Sequence, residues 1–232
     1  MFDLGTSFLA ATERDPDATA IVDGDVRLSY RQWYRRISTM AARLKASGLS
    51  RGDHVATALQ NRWEAATIHW ACQFLGLIVT PVNWRAKAEE IDFFLHDSDA
   101  RLLVVEAVSR DAGAGPAADR GIALVDLDVA AEFVEEDPAA PDVMPEAGAE
   151  DWSLMLYTSG TTGNPKGVPR RHYAERAGAI AHVAQNTYRR GERTLGVMPL
   201  YHTMGVRSLL SMSLVGGTFV CLPRFDAAKA LG

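Results

Sequence analysis

The chain has 232 residues, of which 47% are hydrophobic and 23% charged, so it is long enough for one large α/β domain or two small ones. Its formal net charge of −5 disfavours a nucleic-acid binder, which normally presents a basic surface. The most apolar run, residues 74–82, is too short to span a membrane, and no basic leader precedes an apolar stretch at the N-terminus. The sequence therefore predicts a cytoplasmic protein with no membrane span.

The first clear helix is predicted to begin at Ser29. Ser29 and Gln32 match the S-x-x-Q capping box, in which side chains satisfy free backbone N–H groups at a helix start. Apolar residues then recur at helical spacing, namely Tyr30, Trp33, Ile37, Met40, Ala41 and Leu44. Gly48 predicts the end of the helix, because glycine readily takes the left-handed conformation found at many helix ends.

Strands and helices then alternate as far as residue 106. The predicted elements are a strand over 54–59, a helix over 62–75, a strand over 78–82, a helix over 87–96 and a strand over 101–106. Strands alternating with helices of this length are typical of a parallel sheet covered by helices on both faces. The predicted fold class is α/β, with layered, parallel-rich sheets.

Two segments interrupt the alternation. Residues 111–121 are rich in Ala and Gly and are predicted to form a surface loop. Residues 135–151 carry seven acidic residues, three prolines and no basic residue, which predicts an exposed linker; a docking site is the less favoured alternative. This linker separates a first α/β portion, residues 1–134, from a second α/β portion, residues 152–232.

The alternation resumes after the linker. The predicted elements are a strand over 152–158, a Gly-rich loop, a helix over 172–188, a strand over 194–198, a helix over 206–214, a strand over 218–222 and the start of a helix at 230–232. The helix over 172–188 is predicted to bury Tyr173, Ala177, Ile180 and Ala184. Cys72 and Cys221 each lie in an apolar stretch and are predicted to be buried free thiols rather than a disulfide.

The Gly-rich loop, residues 157–167, combines three features that suit a polyphosphate. Gly160, Gly163 and Gly167 let backbone N–H groups approach anionic oxygens closely. The loop also carries hydroxyl donors, on Thr158, Ser159, Thr161 and Thr162. Lys166 adds a mobile positive charge. The loop is not a Walker A sequence, because Pro165 stands where the second glycine would be and Gly167 follows the lysine. A flexible turn between two strands is the alternative.

The segment from Thr158 to Gly167 reads TSGTTGNPKG and resembles the phosphate loop of the adenylate-forming superfamily, which includes acyl-CoA synthetases, luciferases and peptide-synthetase adenylation domains. The resemblance extends to the helix from Ser29 to Gly48, to Gly52-Asp53 with the strand up to Asn61, and to Met198-Pro199-Leu200-Tyr201-His202. It therefore covers most of the chain. It points to the acyl- or aryl-CoA synthetase branch and to the N-terminal domain of such an enzyme.

The resemblance implies a site and a set of ligands. The loop would join two strands and fold over the β- and γ-phosphates of ATP, which makes residues 166–171 a short strand. The implied nucleotide-binding residues are Thr158, Ser159, Gly160, Thr161, Thr162, Gly163 and Lys166. Tyr201 and His202 would lie beside the acyl substrate, with Lys166 and His202 supporting catalysis. The implied partners are ATP, Mg²⁺, coenzyme A as co-substrate and a small carboxylic acid.

The family's adenine-side segment with its Mg²⁺ glutamate, its ribose-binding aspartate, its hinge and its C-terminal domain with the adenylation lysine find no match in the chain. These parts would lie beyond Gly232, so the resemblance implies an incomplete N-terminal domain with no complete catalytic set, which needs the C-terminal portion of the same enzyme. The fragment alone is expected to be inactive.

The remaining signals are weaker. The other five histidines show no metal-ligand spacing, and no Ser-His-acid arrangement or G-x-S-x-G motif occurs. Arginines at 170, 171, 189, 190 and 193 are interpreted as a solvated basic face. Two alternatives to an acid–thiol ligase remain open. One is an amino-acid adenylation domain, disfavoured because residues 201–204 offer no carboxylate for an ammonium group; the other is a non-catalytic nucleotide-binding or interaction module.

Overall fold

The computed structural model describes residues 2–130, 133, 135–158 and 165–227, which form seven helices and ten strands. The helices are α1 Leu4–Arg14, α2 Tyr30–Ala46, α3 Trp63–Leu75, α4 Ala88–Asp97, α5 Arg110–Asp119, α6 His172–Gln185 and α7 Thr203–Val215. The strands are β1 Thr19–Asp23, β2 Val26–Ser29, β3 His54–Ala58, β4 Ile78–Pro81, β5 Ala100–Val105, β6 Ala123–Asp126, β7 Trp152–Thr158, β8 Lys166–Arg171, β9 Arg193–Gly196 and β10 Thr218–Cys221.

The strands form two sheets. One has four strands in the order β2-β1-β10-β9, and the other has six in the order β6-β5-β3-β4-β7-β8. All pairs are parallel except β1 with β2 and β7 with β8, so the antiparallel strands lie at sheet edges. The α/β fold with parallel-rich, helix-covered sheets is confirmed.

Alternating side chains on the six-stranded sheet face two different cores. Val55 and Leu102 contribute to a large core that also contains Ile21 and Phe219 of the four-stranded sheet. Their neighbours Ala56 and Leu103 face a smaller core built with α4 and α5. Since successive residues of a strand point to opposite faces, two buried faces produce the continuous apolar runs seen in the sequence.

The predicted start of α2 is confirmed in atomic detail. The N–H of Gln32 donates to Ser29 Oγ at 3.3 Å, and the N–H of Ser29 donates to Gln32 Oε1 at 2.9 Å. Gly48, just beyond the helix end, has a φ of 82°, which is the left-handed conformation that glycine tolerates. The two cysteines are free and buried, as predicted.

Several elements differ from the prediction. Residues 111–121 are not a surface loop, because most of them lie in α5, which packs on the six-stranded sheet through Gly113, Pro116 and Ala117. Alanine is the best helix former, and burial against the sheet offsets the cost of two glycines and a proline. Helix α1 and strands β1, β2 and β6 are not predicted from the sequence; the three strands have only four or five residues each and lie between Gly, Asp and Ser residues that also mark loops.

The acidic segment 135–151 is exposed at most of its positions, and its backbone is bound to the rest of the chain. It has no regular helix or strand from 135 on, but it is bound along α2 and the end of α3. Tyr34 Oη donates to the carbonyl of Val143 at 2.7 Å, and the N–H of Val143 donates to Ser38 Oγ at 3.1 Å. The N–H of Glu146 donates to the carbonyl of Phe74 at 2.7 Å. The division into 1–134, 135–151 and 152–232 stays a prediction, and strands from both sides of the segment share each sheet.

Helix α6 buries a different face from the predicted one. Tyr173, Ala177, Ile180 and Ala184 are exposed, whereas His172, Glu175 and Ala179 are buried. The predicted helix start at 230–232 lies outside the described residues. No helix in the described part of the chain is long and apolar enough to cross a membrane.

Candidate functional site

The predicted phosphate loop emerges from an antiparallel hairpin made by β7 and β8. Thr158 and Lys166 are directly paired across this hairpin, so the two ends of the loop meet. Strand β7 runs parallel to β4, which places Thr158 at the carboxyl edge of the six-stranded sheet, where α/β folds bind ligands. Ser159, Gly160, Thr161, Thr162 and Gly163 lie outside the described residues.

Helix α4 holds the strand that leads into the loop. Tyr157 Oη donates to Asp97 Oδ2 at 2.8 Å, and the Tyr157 ring packs against Phe94 with a centroid distance of 4.6 Å. Burial and the hydrogen bond to Asp97 raise the pKa of Tyr157, so the phenol remains protonated and keeps donating at neutral pH. The base of the loop is therefore anchored one residue before Thr158.

Asn61 joins the carboxyl edges of the two sheets. It follows β3, is buried, and its Nδ2 donates to the carbonyls of Gly196 and Met198, both at 2.8 Å. Its Oδ1 accepts from the N–H of Leu200 at 2.9 Å. One side chain thus fixes the end of β9 and the turn that precedes Tyr201. This role was not recognised in the sequence, because the partners lie more than 130 positions away.

Tyr201 and His202 lie between that turn and α7. Their rings pack with centroids 4.6 Å apart; Tyr201 is half-buried and His202, the N-cap residue of α7, is exposed. The first turn of α7 lies against the chain just before it, since a Cβ on Gly205 would be 2.1 Å from the carbonyl oxygen of Pro199. Only glycine fits there. The structure thus leaves the His202 imidazole accessible at the carboxyl edge.

A cleft of about 290 Å³ opens at the same edge, beside Asn61. It is lined by residues that follow β3, β4, β9 and β10, namely Asn61, Trp84, Arg85, Val197, Pro199, Leu222, Pro223, Arg224 and Phe225. The guanidinium carbon of Arg85 lies 3.8 Å from the centroid of the Trp84 ring, and that of Arg224 lies 5.9 Å from it. The cleft therefore combines an aromatic surface with two cations, which suits an anionic ligand. The sequence analysis named Asn61 and Pro199 within the segments of resemblance, but it did not predict that these residues line a common cleft with Trp84 and Arg224.

An arginine lies at the centre of a carboxylate cluster nearby. Arg62 contacts Glu64 at 2.8 Å, Glu106 at 3.2 Å and Asp128 at 2.8 Å. Burial raises the pKa of Glu106. Among the described residues, no group of three or more His, Cys, Asp or Glu side chains is arranged to hold a metal ion. The cluster ties β3, β5 and the residues after β6 together.

Comparison with known proteins identifies the family. The family model described as AMP-binding enzyme matches residues 8–231. The long-chain-fatty-acid–CoA ligase FadD13 of Mycobacterium tuberculosis is 31% identical over 210 residues, which covers 88% of this chain and 42% of that protein. A 4-chlorobenzoate–CoA ligase of an Arthrobacter species is 32% identical over 228 residues, covering 95% of this chain and 44% of that protein.

Solved structures agree. The fold matches a Mycobacterium tuberculosis fatty acyl CoA synthetase with a TM-score of 0.91 at 26% identity, over 99% of this chain and 46% of that one. The N-terminal domain of FACL13 from the same organism also gives a TM-score of 0.91, at 28% identity, over 99% of this chain and 59% of that one. The chain spans less than half the length of the curated relatives it matches. It belongs to the AMP-binding enzyme family.

Proposed function

We propose that this chain is the N-terminal part of an ATP-dependent acyl-CoA synthetase. In this reaction the carboxylate oxygen of an acid attacks the α-phosphorus of ATP, the bond to the bridging oxygen breaks, and pyrophosphate leaves. The thiol of coenzyme A then attacks the acyl carbon, gives up its proton and displaces AMP. The observation that carries the proposal is the β7–β8 hairpin, whose paired Thr158 and Lys166 close the loop at the carboxyl edge shared with Asn61 and His202.

The chain's own residues divide the work between phosphates and acid. Lys166 and the hydroxyls and N–H groups of residues 158–163 bind and orient the phosphates of ATP, because positioning and charge neutralisation are what phosphoryl chemistry requires. His202 orients the carboxylate towards the α-phosphorus, and Tyr201 packs beside it. When bound, Mg²⁺ supplies further charge neutralisation on the phosphates. The proposal covers carboxylic acids as a class, and the cytoplasm is the expected location of the enzyme.

The rest of the site comes from the remainder of the enzyme. The apolar stripe on α6 formed by Tyr173, Ala177, Ile180 and Ala184 is exposed, with Tyr173 at 37% and Ile180 at 44%. A continuous apolar face on a helix is normally buried against another element. We therefore assign this stripe to contact with the C-terminal portion. The mass of the natural protein is the first check, since a natural 232-residue product would instead favour a non-catalytic module.

Two substitutions in the complete enzyme test the assignment of roles. Lys166→Ala removes a charged hydrogen bond worth about 1.5–3 kcal/mol, so kcat/KM for ATP should fall roughly ten- to hundredfold. His202→Ala should lower turnover or raise KM for the acid while ATP affinity stays near that of the wild type. Pyrophosphate release across a panel of carboxylic acids, with equilibrium ATP binding, measures both. Absence of release by the wild type would contradict the proposed function.

A further inference from the structure

We propose that Arg170 is a positioning residue that couples the phosphate-loop hairpin to the acid-binding segment Tyr201–His202. The proposal rests on the proposed function, because it assigns a role within the same site. Arg170 lies on β8, four residues after Lys166, and its side chain is 20% exposed. It contacts two helices at once, whereas its neighbour Arg171 turns to the Trp152 ring and the exposed Glu150.

The contacts of Arg170 use both terminal nitrogens of the guanidinium. One donates to Glu175 Oε1 of α6 at 3.2 Å, and the other donates to Thr203 Oγ1 of α7 at 2.7 Å. Thr203 is the first residue of α7 and follows His202 directly. The planar, five-donor guanidinium suits two separate acceptors, while a lysine ammonium is a single point charge. Arg170 thus connects the strand after the phosphate loop to the start of α7.

The acid-binding segment is held from both ends. Asn61 accepts the N–H of Leu200 on one side, and Arg170 binds the hydroxyl of Thr203 on the other. Tyr201 and His202 lie between these two attachments. A shift of the hairpin is therefore transmitted to the backbone that carries His202. This arrangement gives phosphate binding at the loop a direct route to the orientation of the acid.

The Arg170–Glu175 ion pair contributes little net stability to the packing of α6. The side chain of Glu175 is only 4% exposed, and its Oε2 has no hydrogen-bond partner among the described residues. Desolvating such a pair costs about as much as it gains, and well-packed apolar residues often give equal or greater stability. What an apolar contact cannot supply is a directed bond to Thr203 Oγ1. The geometry points to orientation of the segment as the use of this pair.

Kinetics in the complete enzyme test the coupling. Thr203→Val removes the acceptor at nearly constant volume, and Arg170→Lys keeps the charge but loses the fork. Each should raise KM for the acid about five- to tenfold and leave KM for ATP within about twofold, and the double variant should be no worse than either single one. Arg171→Lys on the same strand is the matched control and should leave both constants unchanged.

A second measurement needs no turnover. In the 232-residue chain, both variants should shift the NMR resonances of the His202 imidazole, while Arg171→Lys should not. Multiplicative effects on KM, equal effects of Arg171→Lys, or an unmoved His202 resonance would overturn the proposal. Failure of the proposed function is distinguishable, since it requires a wild-type enzyme that releases no pyrophosphate with any acid.

Discussion

At the scale of single residues, two buried histidines make the free energy of unfolding depend on pH. His69 of α3 is deeply buried, and His172 accepts the N–H of Leu4 on Nδ1 at 3.2 Å. Burial lowers the pKa of His69 to about 3 and that of His172 to about 4. The nearby His172 further lowers the pKa of His69, whereas Asp3 and Asp151 oppose the lowering of the His172 pKa and Arg51 adds to it. Both rings are therefore neutral in the folded protein at pH 7.

This pair predicts that acid weakens the fold from an unusually high pH. Between the ordinary histidine pKa of about 6.5 and the lowered folded values, the unfolded chain binds more protons than the folded one. As the pH is lowered through that window, the free energy of unfolding should therefore decrease by about 1.4 kcal/mol per pH unit for each histidine. Urea unfolding of the 232-residue chain from pH 7 to pH 4.5 measures the slope.

The control for this prediction removes one histidine at a time. His69→Gln keeps a polar side chain at the site and should make the slope shallower by about one proton's share. His96→Gln alters an exposed histidine on α4 and should leave the slope as it is. An unchanged slope in His69→Gln would show that the buried pair is not the source of acid sensitivity.

The role of a residue could be predicted from the sequence when its partner lies close to it along the chain. Ser29 and Gln32 interact within one helical turn, so their spacing alone predicts the cap. Thr158 and Lys166 are close in the chain and pair across a hairpin. Asn61 and Arg170 act on partners 139 and 33 positions away, which no local pattern encodes. The sequence predicts Arg170 to be part of a solvated face, and the structure shows instead a partly buried contact to the buried Glu175.

At the scale of elements, α6 shows how far periodicity can be trusted. The helical period predicts one apolar face, and that face exists, but it is exposed and a different face is buried within this chain. The buried side is set by specific polar contacts, those of His172 with Leu4 and of Glu175 with Arg170. Periodicity identifies an amphipathic helix but cannot say which partner covers it.

Substitution at Ile180 tests whether the exposed stripe on α6 is an interface with the rest of the enzyme. Ile180→Lys should change the melting temperature of the 232-residue chain by no more than about 2 °C, because exposed substitutions are nearly neutral. In the complete enzyme it should lower both stability and activity. Ala179→Lys, one position earlier and fully buried, should destabilise even the isolated chain. Equal effects of Ile180→Lys in both proteins would contradict the interface.

At the scale of the whole molecule, the alternation of strands and helices was enough to predict parallel-rich sheets but not their number. The second sheet depends on β1 pairing with β10, where Ile21 lies opposite Phe219. Contacts across almost the entire chain are fixed by the common core, not by neighbouring residues. The segment 135–151 is likewise held by residues distant in sequence, because Tyr34 and Ser38 of α2 form hydrogen bonds with the backbone of Val143.

At the scale of the whole molecule we also predict that the 232-residue chain is inactive on its own. It contains the β7–β8 hairpin, the segment held by Asn61 and the cationic cleft at Trp84, but it spans only 42–45% of the curated CoA ligases it matches. The adenine and ribose contacts and the adenylation lysine that the resemblance implies find no match in this chain. Catalysis that relies on positioning loses most of its rate when part of the positioning set is missing.

Pyrophosphate release by the purified 232-residue chain should therefore stay at background with every acid in the panel. Circular dichroism would establish that the chain is folded, and the complete enzyme assayed beside it would show that the acids and conditions are adequate. Release above background from the folded fragment would mean that adenylation needs fewer groups than the relatives' length suggests.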